Sequence, residues 1–336
     1  MKKILKKIYN GICLNESESY ILFENIFHEN INDIQIAAIL AILSSRRETY
    51  EEIIGARKSA MKHIKSFPTS KYSISDIVGT GGDQKNSFNI STVSAIVAAC
   101  YGIKIAKICN ISSSSRFGSA NLVQKLNINI NITSEQSKTC LDEMNICFLL
   151  ANNYLSNFKK ISKIRSLLQI KTIFNILGPL LNPAKPNYAL IGVYKPQLML
   201  LYAKILAHLK YTKAIIVHSG GIDEATLYSN TSIVELENEQ IKVYELSPED
   251  FGAKRYNKNY ILNKSITENY LETIKLFQGK GESVYVQTIA INVALLMKVL
   301  GNNDIRKNTL DILNFINTGQ VYQFVLKLSR LSKLFN

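Results

Sequence analysis

The chain has 336 residues, 46% of them apolar, and a mean hydropathy near zero, which excludes a disordered polymer and suggests about two domains at ~150 residues each. Lys and Arg number 40 against 26 Asp and Glu, yet no block of about five or six like charges occurs, so the +14 charge reads as compositional bias that modestly favours anionic ligands. Five scattered cysteines without C-x-x-C argue for reduced thiols in the cytoplasm and against a zinc site, and neither a signal-peptide core nor a bilayer-length apolar run is present.

Residues 17–65 read as helices. Tyr20, Leu22, Phe23 and Ile26 form one apolar stripe, residues 36–43 a more buried helix, and Thr49 with Glu51 and Glu52 opens a third. These helices read first as structure, with a dimer face as the alternative use of their apolar surfaces. Pro68-Thr69-Ser70 reads as a linker. From Ser75 the pattern changes to strand–loop–helix. Ile77 and Val78 end a strand, and Gly79, Gly81 and Gly82 turn the chain ahead of Asp83. Ser91 and Thr92 stand where the helix 93–101 needs an N-cap. Uncovered N–H groups in such a turn, with a helix dipole behind them, suit an anion, although a plain βα turn needs the same glycines. G-x-G-x-x-G and P-loop spacings are both missing.

Residues 103–108 read as the next strand. The polar run 110–119, rich in serine and carrying Arg116, reads as a flexible loop or a second anion cradle before a helix at 120–126, with its hydroxyls and N–H groups after a Lys-bearing strand favouring the cradle. A helix at 133–143, a strand at 146–150, a basic helix at 158–168 and an irregular stretch at 175–186 follow. Strands at 189–194, 214–218, 232–236 and 242–245 lead to a terminal helical region that includes 285–300 and 309–315. Asp223-Glu224 follows a strand and the Gly220-Gly221 turn. Alone it is a solvated acidic pair; in a site it offers the hard oxygens that Mg²⁺ takes.

Five motifs occur in order: 76–83 (Asp-Ile-Val-Gly-Thr-Gly-Gly-Asp), 89–92 (Asn-Ile-Ser-Thr), 174–180 (Phe-Asn-Ile-Leu-Gly-Pro-Leu), 219–224 (Ser-Gly-Gly-Ile-Asp-Glu) and 278–281 (Gln-Gly-Lys-Gly). From about Leu14 to the C-terminus the chain resembles anthranilate phosphoribosyltransferase. The resemblance implies a helical domain of residues 1–67 plus about 163–186, for dimerisation and the anthranilate side. It implies a larger α/β domain of 72–162 plus 187–336, with a mostly parallel sheet of the nucleoside phosphorylase/phosphoribosyltransferase kind. The implied reaction displaces pyrophosphate from phosphoribosyl pyrophosphate (PRPP) with the anthranilate amine, in tryptophan biosynthesis. Placement and electrostatics carry it, with no covalent nucleophile. A cytoplasmic homodimer joined through the helical domain is implied, with no membrane or nucleic-acid partner.

The resemblance sets PRPP against Gly79, Gly82 and Asp83 of the turn, against Ser87, and against Asn89, Ile90, Ser91 and Thr92 at the helix start. Lys107, Asn110, Ser112, Ser113, Ser114, Ser115 and Ser119 complete that set. Anthranilate falls to Gly79, Asn110 and Arg165, whose guanidinium suits a carboxylate. Mg²⁺ falls to Ser91, Asp223 and Glu224.

The match frays on the acceptor side. Ile108 and Leu155 replace histidines, Ile111 an arginine and Cys109 a glycine; Asn121 stands for an aspartate and Arg116 for a lysine. A side chain at 109 is expected to crowd the aromatic pocket or strain a φ > 0 position, weakening anthranilate binding more than PRPP binding. Two other readings stay open: a pyrimidine-nucleoside-phosphorylase-like enzyme, against which Arg165 and Asp223-Glu224 count, and a catalytically weakened nucleic-acid-binding relative, which requires a basic stripe.

Overall fold

The computed structural model describes residues 1–81, 88–109, 118–154, 158–260 and 265–335. Four helices open the chain: α1 (Lys2–Tyr9), α2 (Glu16–Phe27), α3 (Asp33–Arg46) and α4 (Tyr50–Lys62). Next come β1 (Ser75–Gly79), α5 (Ile90–Cys100), β2 (Ile105–Cys109), α6 (Ser119–Lys125), α7 (Ser134–Met144) and β3 (Ile146–Leu150). The chain returns to helices in α8 (Ala151–Tyr154), α9 (Phe158–Leu168) and α10 (Ile173–Leu177). It then runs through β4 (Tyr188–Gly192), α11 (Leu198–His208), β5 (Lys213–Ser219), β6 (Thr231–Glu237) and β7 (Gln240–Leu246). It closes with α12 (Ile266–Phe277), α13 (Ser283–Val299), α14 (Ile305–Asn317) and α15 (Gln320–Lys333).

Two compact units result. A helical unit joins Met1–Ser66 to Ala151–Pro183, and an α/β unit joins Phe67–Leu150 to Ala184–Asn336. In the helical unit, reciprocal capping boxes start α2 (Asn15 with Glu18) and α4 (Thr49 with Glu52), each satisfying two orphan donors. Leu22, Phe23, Ile26 and Phe27 bury one face of α2, and Phe27, Phe158 and Phe174 meet ring to ring. Tyr20 leaves the expected stripe: it is half-buried, and its hydroxyl accepts from Lys62, whereas Ser19 is buried against Gly55. Buried Glu52 collects N–H groups of Leu14 and Thr49 and the Arg46 guanidinium.

The α/β unit carries the expected mostly parallel sheet, in the order β3-β2-β1-β4-β5-β6-β7, parallel up to β5 and antiparallel from β5 to β7. Its parallel strands β1 to β5 are largely buried, as strands covered on both faces are, whereas the edge strand β7 is mostly exposed. The second strand starts at Ile105 and not at 103. Gly102, with φ of 108°, and Ile103 instead return their N–H groups to Ala99 and Ala98 and close the end of α5. Among the described residues no helix is long and apolar enough to cross a membrane.

Candidate active site

β1 pairs with β2 on one side and β4 on the other, and β4 continues to β5. The loops after β1 and β4 therefore diverge, leaving a crevice at the carboxyl ends of the strands. Both strands end there in glycine, with Gly79 and Gly192 as register partners. The chain after β5 crosses this spot. A Cβ on Gly79 would strike Asp223 Oδ2, and one on Gly192 would strike the Asp223 carbonyl oxygen. Two glycines side by side leave room for the acidic loop to lie on the sheet end.

That loop is tightly built. Gly220 and Gly221 have φ of 55° and 85°, and Ser219 and Ile222 exchange backbone hydrogen bonds of 3.0 and 3.2 Å, as a type I′ turn demands. The Ser219 hydroxyl donates to the Asn230 carbonyl at 2.9 Å and lies 2.6 Å from Thr226 Oγ1. Asp223 is buried, and its Oδ2 accepts the N–H of Gly81 at 2.7 Å. Glu224 beside it is half-buried. The Thr80 N–H donates to the Gly192 carbonyl at 3.0 Å, and its hydroxyl accepts from Tyr194 N–H at 3.1 Å. The glycine bend and the acid pair thus form one assembly.

The start of α5 differs from its sequence reading. The N-cap is Asn89, whose side chain makes no capping bond, and Ser91 and Thr92 lie inside the first turn. Ser91 Oγ instead accepts from Lys107 Nζ at 3.3 Å, and the same ammonium donates to the Ile77 carbonyl at 2.5 Å. Lys107 is only 2% exposed and forms no ion pair among the described residues. Thr92 Oγ1 is buried without a hydrogen-bond partner among them. Burying an uncompensated ammonium and an orphan hydroxyl is costly unless a ligand answers them.

Cys109 does not occupy the φ > 0 position that one arm of its expectation required. It ends β2 in extended backbone with no positive φ, and its side chain is fully buried, with Sγ 3.8 Å from the Lys107 carbonyl. Burial pushes the thiol up to about 12, so it stays protonated. The side chain therefore packs into the sheet at a position without positive φ. Ile108 is buried as well.

Arg165 lies in the helical unit, in the last turn of α9. Nη2 donates to Asn175 Oδ1 at 3.2 Å, the guanidinium carbon is 5.8 Å from the Phe174 ring centroid, and Nε is buried without a partner among the described residues. Burial lowers its pKa, yet a guanidinium remains charged at neutral pH. Ser119 opens α6. Gly82, Asp83, Ser87, Asn110, Ser112, Ser113, Ser114 and Ser115 lie outside the described residues, as do Ile111, Arg116 and Leu155.

Residues 71–322 match the model of the glycosyl transferase family a/b domain, and residues 2–64 match its helical bundle domain. Anthranilate phosphoribosyltransferase of Buchnera aphidicola subsp. Baizongia pistaciae is 50% identical over 98% of this chain and 100% of its own length. The chain belongs to the anthranilate phosphoribosyltransferase family. A second family member, from Buchnera aphidicola subsp. Schlechtendalia chinensis, is 49% identical over 98% of this chain and 100% of its own length. The family's structure from Thermus thermophilus superposes with a TM-score of 0.91 at 27% identity, covering 98% of this chain and 99% of that one. The family's Saccharomyces cerevisiae structure in complex with 4-fluoroanthranilate reaches 0.87 at 25% identity, covering 99% and 97%. The same yeast protein in complex with PRPP and Mg shares the fold, at 0.88 and 24% identity, covering 99% and 97%.

Two members of the assembly escaped the sequence reading of this family chain. Gly192 sat within a stretch read as one strand, where an interior glycine signals close approach by another backbone. Asn292 interrupts the apolar run 289–297 and is fully buried, which signals a polar partner.

Proposed function

We propose that this chain transfers the phosphoribosyl group of PRPP to the amine of anthranilate, releasing pyrophosphate and giving N-(5-phosphoribosyl)anthranilate for tryptophan biosynthesis. The observation that carries the reading is the Gly81 N–H bond to Asp223 Oδ2 across the paired glycines, which joins the anion-binding bend to the acid pair. The donor set of Asp223, Glu224 and the Ser91 hydroxyl is all hard oxygen and fits Mg²⁺. When bound, Mg²⁺ takes up charge on the departing pyrophosphate.

The chain's own groups supply the rest. We assign the diphosphate to the backbone N–H groups of the bend around Gly79, Gly82 and Asp83 and to the start of α5 at Asn89, Ile90, Ser91 and Thr92. Ser87, Asn110, Ser119 and the serines at 112–115 extend that assignment. Lys107, buried beneath Ser91, adds a fixed positive charge that needs no reorganisation during reaction. The orphan Nε–H of Arg165 is suited to the anthranilate carboxylate, and Asn175 and Phe174 hold the guanidinium still. Gly79 and Asn110 share the anthranilate assignment. No protein nucleophile enters; holding both reactants in attack geometry provides the acceleration.

The homodimer is assigned to the helical unit, where Ile34 and Leu167 stand 83% and 76% exposed. The cytoplasm is assigned as the compartment on the five free cysteines. Mixing protein, anthranilate, PRPP and Mg²⁺ and following anthranilate fluorescence tests the reading. Fluorescence falls in the complete mixture and holds steady without metal; steady fluorescence in both refutes the assignment.

A further inference from the structure

α13 is buried along almost its whole length, yet it carries Asn292 with no solvent exposure. The Asn292 amide grips the residue that follows the acid pair. Its Oδ1 accepts the Ala225 N–H at 3.2 Å, and its Nδ2 donates to the Ala225 carbonyl at 3.0 Å. Nδ2 also donates to the Thr288 carbonyl one turn back, at 2.9 Å. Both backbone groups of Ala225 thus end on one side chain, which fixes the two peptide planes that meet at Ala225, the first of them leaving Glu224. Seven positions earlier on the helix, Tyr285 is fully buried, with its ring centroid 4.8 Å from that of Phe88. Phe88 directly precedes Asn89, the N-cap of α5, and so stands three residues before Ser91. Seven residues are close to two helical turns, about 10.5 Å along the axis, so both contacts leave the same face of α13.

We propose that α13 braces the two halves of the metal site, with Asn292 as the positioning residue for Asp223-Glu224 and Tyr285 as that for Ser91. A helix hydrogen-bonded throughout is the stiffest spacer available. The two contacts set the distance between acid pair and hydroxyl before Mg²⁺ arrives, so the ion meets a preorganised cage and not two loops it must draw together. Cysteine or histidine chemistry has no part in this; the brace works through amide hydrogen bonds and ring packing. The inference rests on the assignment of Asp223, Glu224 and Ser91 to the metal.

The full-length variants Asn292→Asp and Asn292→Ser test it. Asp keeps the acceptor for Ala225 N–H but turns an oxygen toward two carbonyls; Ser shortens the grip without adding charge. Folding is checked by circular dichroism, and the Ser variant carries the test if Asp does not fold. The Mg²⁺ concentration giving half-maximal rate is expected to rise about tenfold, as loss of an outer-shell partner does, while excess Mg²⁺ restores most of the maximal rate. The KM for anthranilate stays put. Tyr285→Leu gives a smaller rise of the same kind. A merely structural role would lower the rate equally at every Mg²⁺ concentration, and that result overturns the brace. Asp223→Asn serves as reference. If it leaves the Mg²⁺ requirement unchanged, the metal assignment falls and the brace with it; if it raises the requirement while the Asn292 variants do not, the brace alone falls.

Discussion

Lys107 and Lys213 are both buried lysines in the α/β unit, 2% and 4% exposed, yet their surroundings differ in kind. Lys213, at the start of β5, lies 3.1 Å from Glu235 and 3.2 Å from Glu237. Glu235 also meets Lys298 at 3.4 Å and accepts the Tyr244 hydroxyl at 2.6 Å. That charge is neutralised within the fold. Lys107, on β2 three strands away from β5, gives its protons to a carbonyl and a hydroxyl and meets no carboxylate among the described residues. A buried ammonium left in that condition is a cost to folding and a standing attraction for an anion. The pairing of a buried charge, more than its presence, separates structure from function here.

The comparison can be broken in four ways, from the largest effect to the smallest. Lys107→Met is expected to weaken PRPP binding about a hundredfold, since it removes a buried charge facing an anion, with the thermal midpoint unchanged or raised. Calorimetry and a melting curve read both sides, and a large loss of stability with intact binding would reverse the assignment. Lys213→Met is expected to do the opposite. It leaves Glu235 with Lys298 and the Tyr244 hydroxyl, costs on the order of 2 kcal/mol in denaturant unfolding, and leaves every KM unchanged. Arg165→Lys keeps the charge but loses the fork, and raises the KM for anthranilate about tenfold with little change for PRPP.

The smallest effect concerns acid. Burial alone would raise the Glu235 carboxyl, but the Tyr244 hydroxyl, Lys213 and Lys298 outweigh it and hold the group below its ordinary range. A depressed folded-state pKa contributes stability that is present above the unfolded value of about 4.3 and is lost as pH falls through the folded one. Acid unfolding followed by circular dichroism is therefore expected to begin below about pH 4, and Lys213→Met shifts its onset upward. An unchanged onset in that variant would show that the ion network contributes nothing.

Much of this was legible in the sequence because the governing rules are local. The capping residues of α4, the strand and glycine bend at 75–81 and the Gly220-Gly221 turn are each decided by neighbours in the chain. The misreadings involve partners far away. Ser91 reads as a cap until Lys107 supplies it with another bond, and Cys109 reads as an intrusion until the sheet register turns its side chain into the core. Gly192 and Asn292 acquire meaning only when the loop after β5 is laid over β1 and β4, through contacts between residues far apart in the chain that no local pattern encodes.

Isothermal titration of PRPP into the protein, with and without Mg²⁺, tests the central claim directly. In the unaltered chain, tight binding is expected only with the metal, and in the Asp223→Asn, Glu224→Gln double variant Mg²⁺ is expected to add nothing. If Mg²⁺ strengthens PRPP binding equally in both, the acid loop lying on the paired glycines is not the metal site.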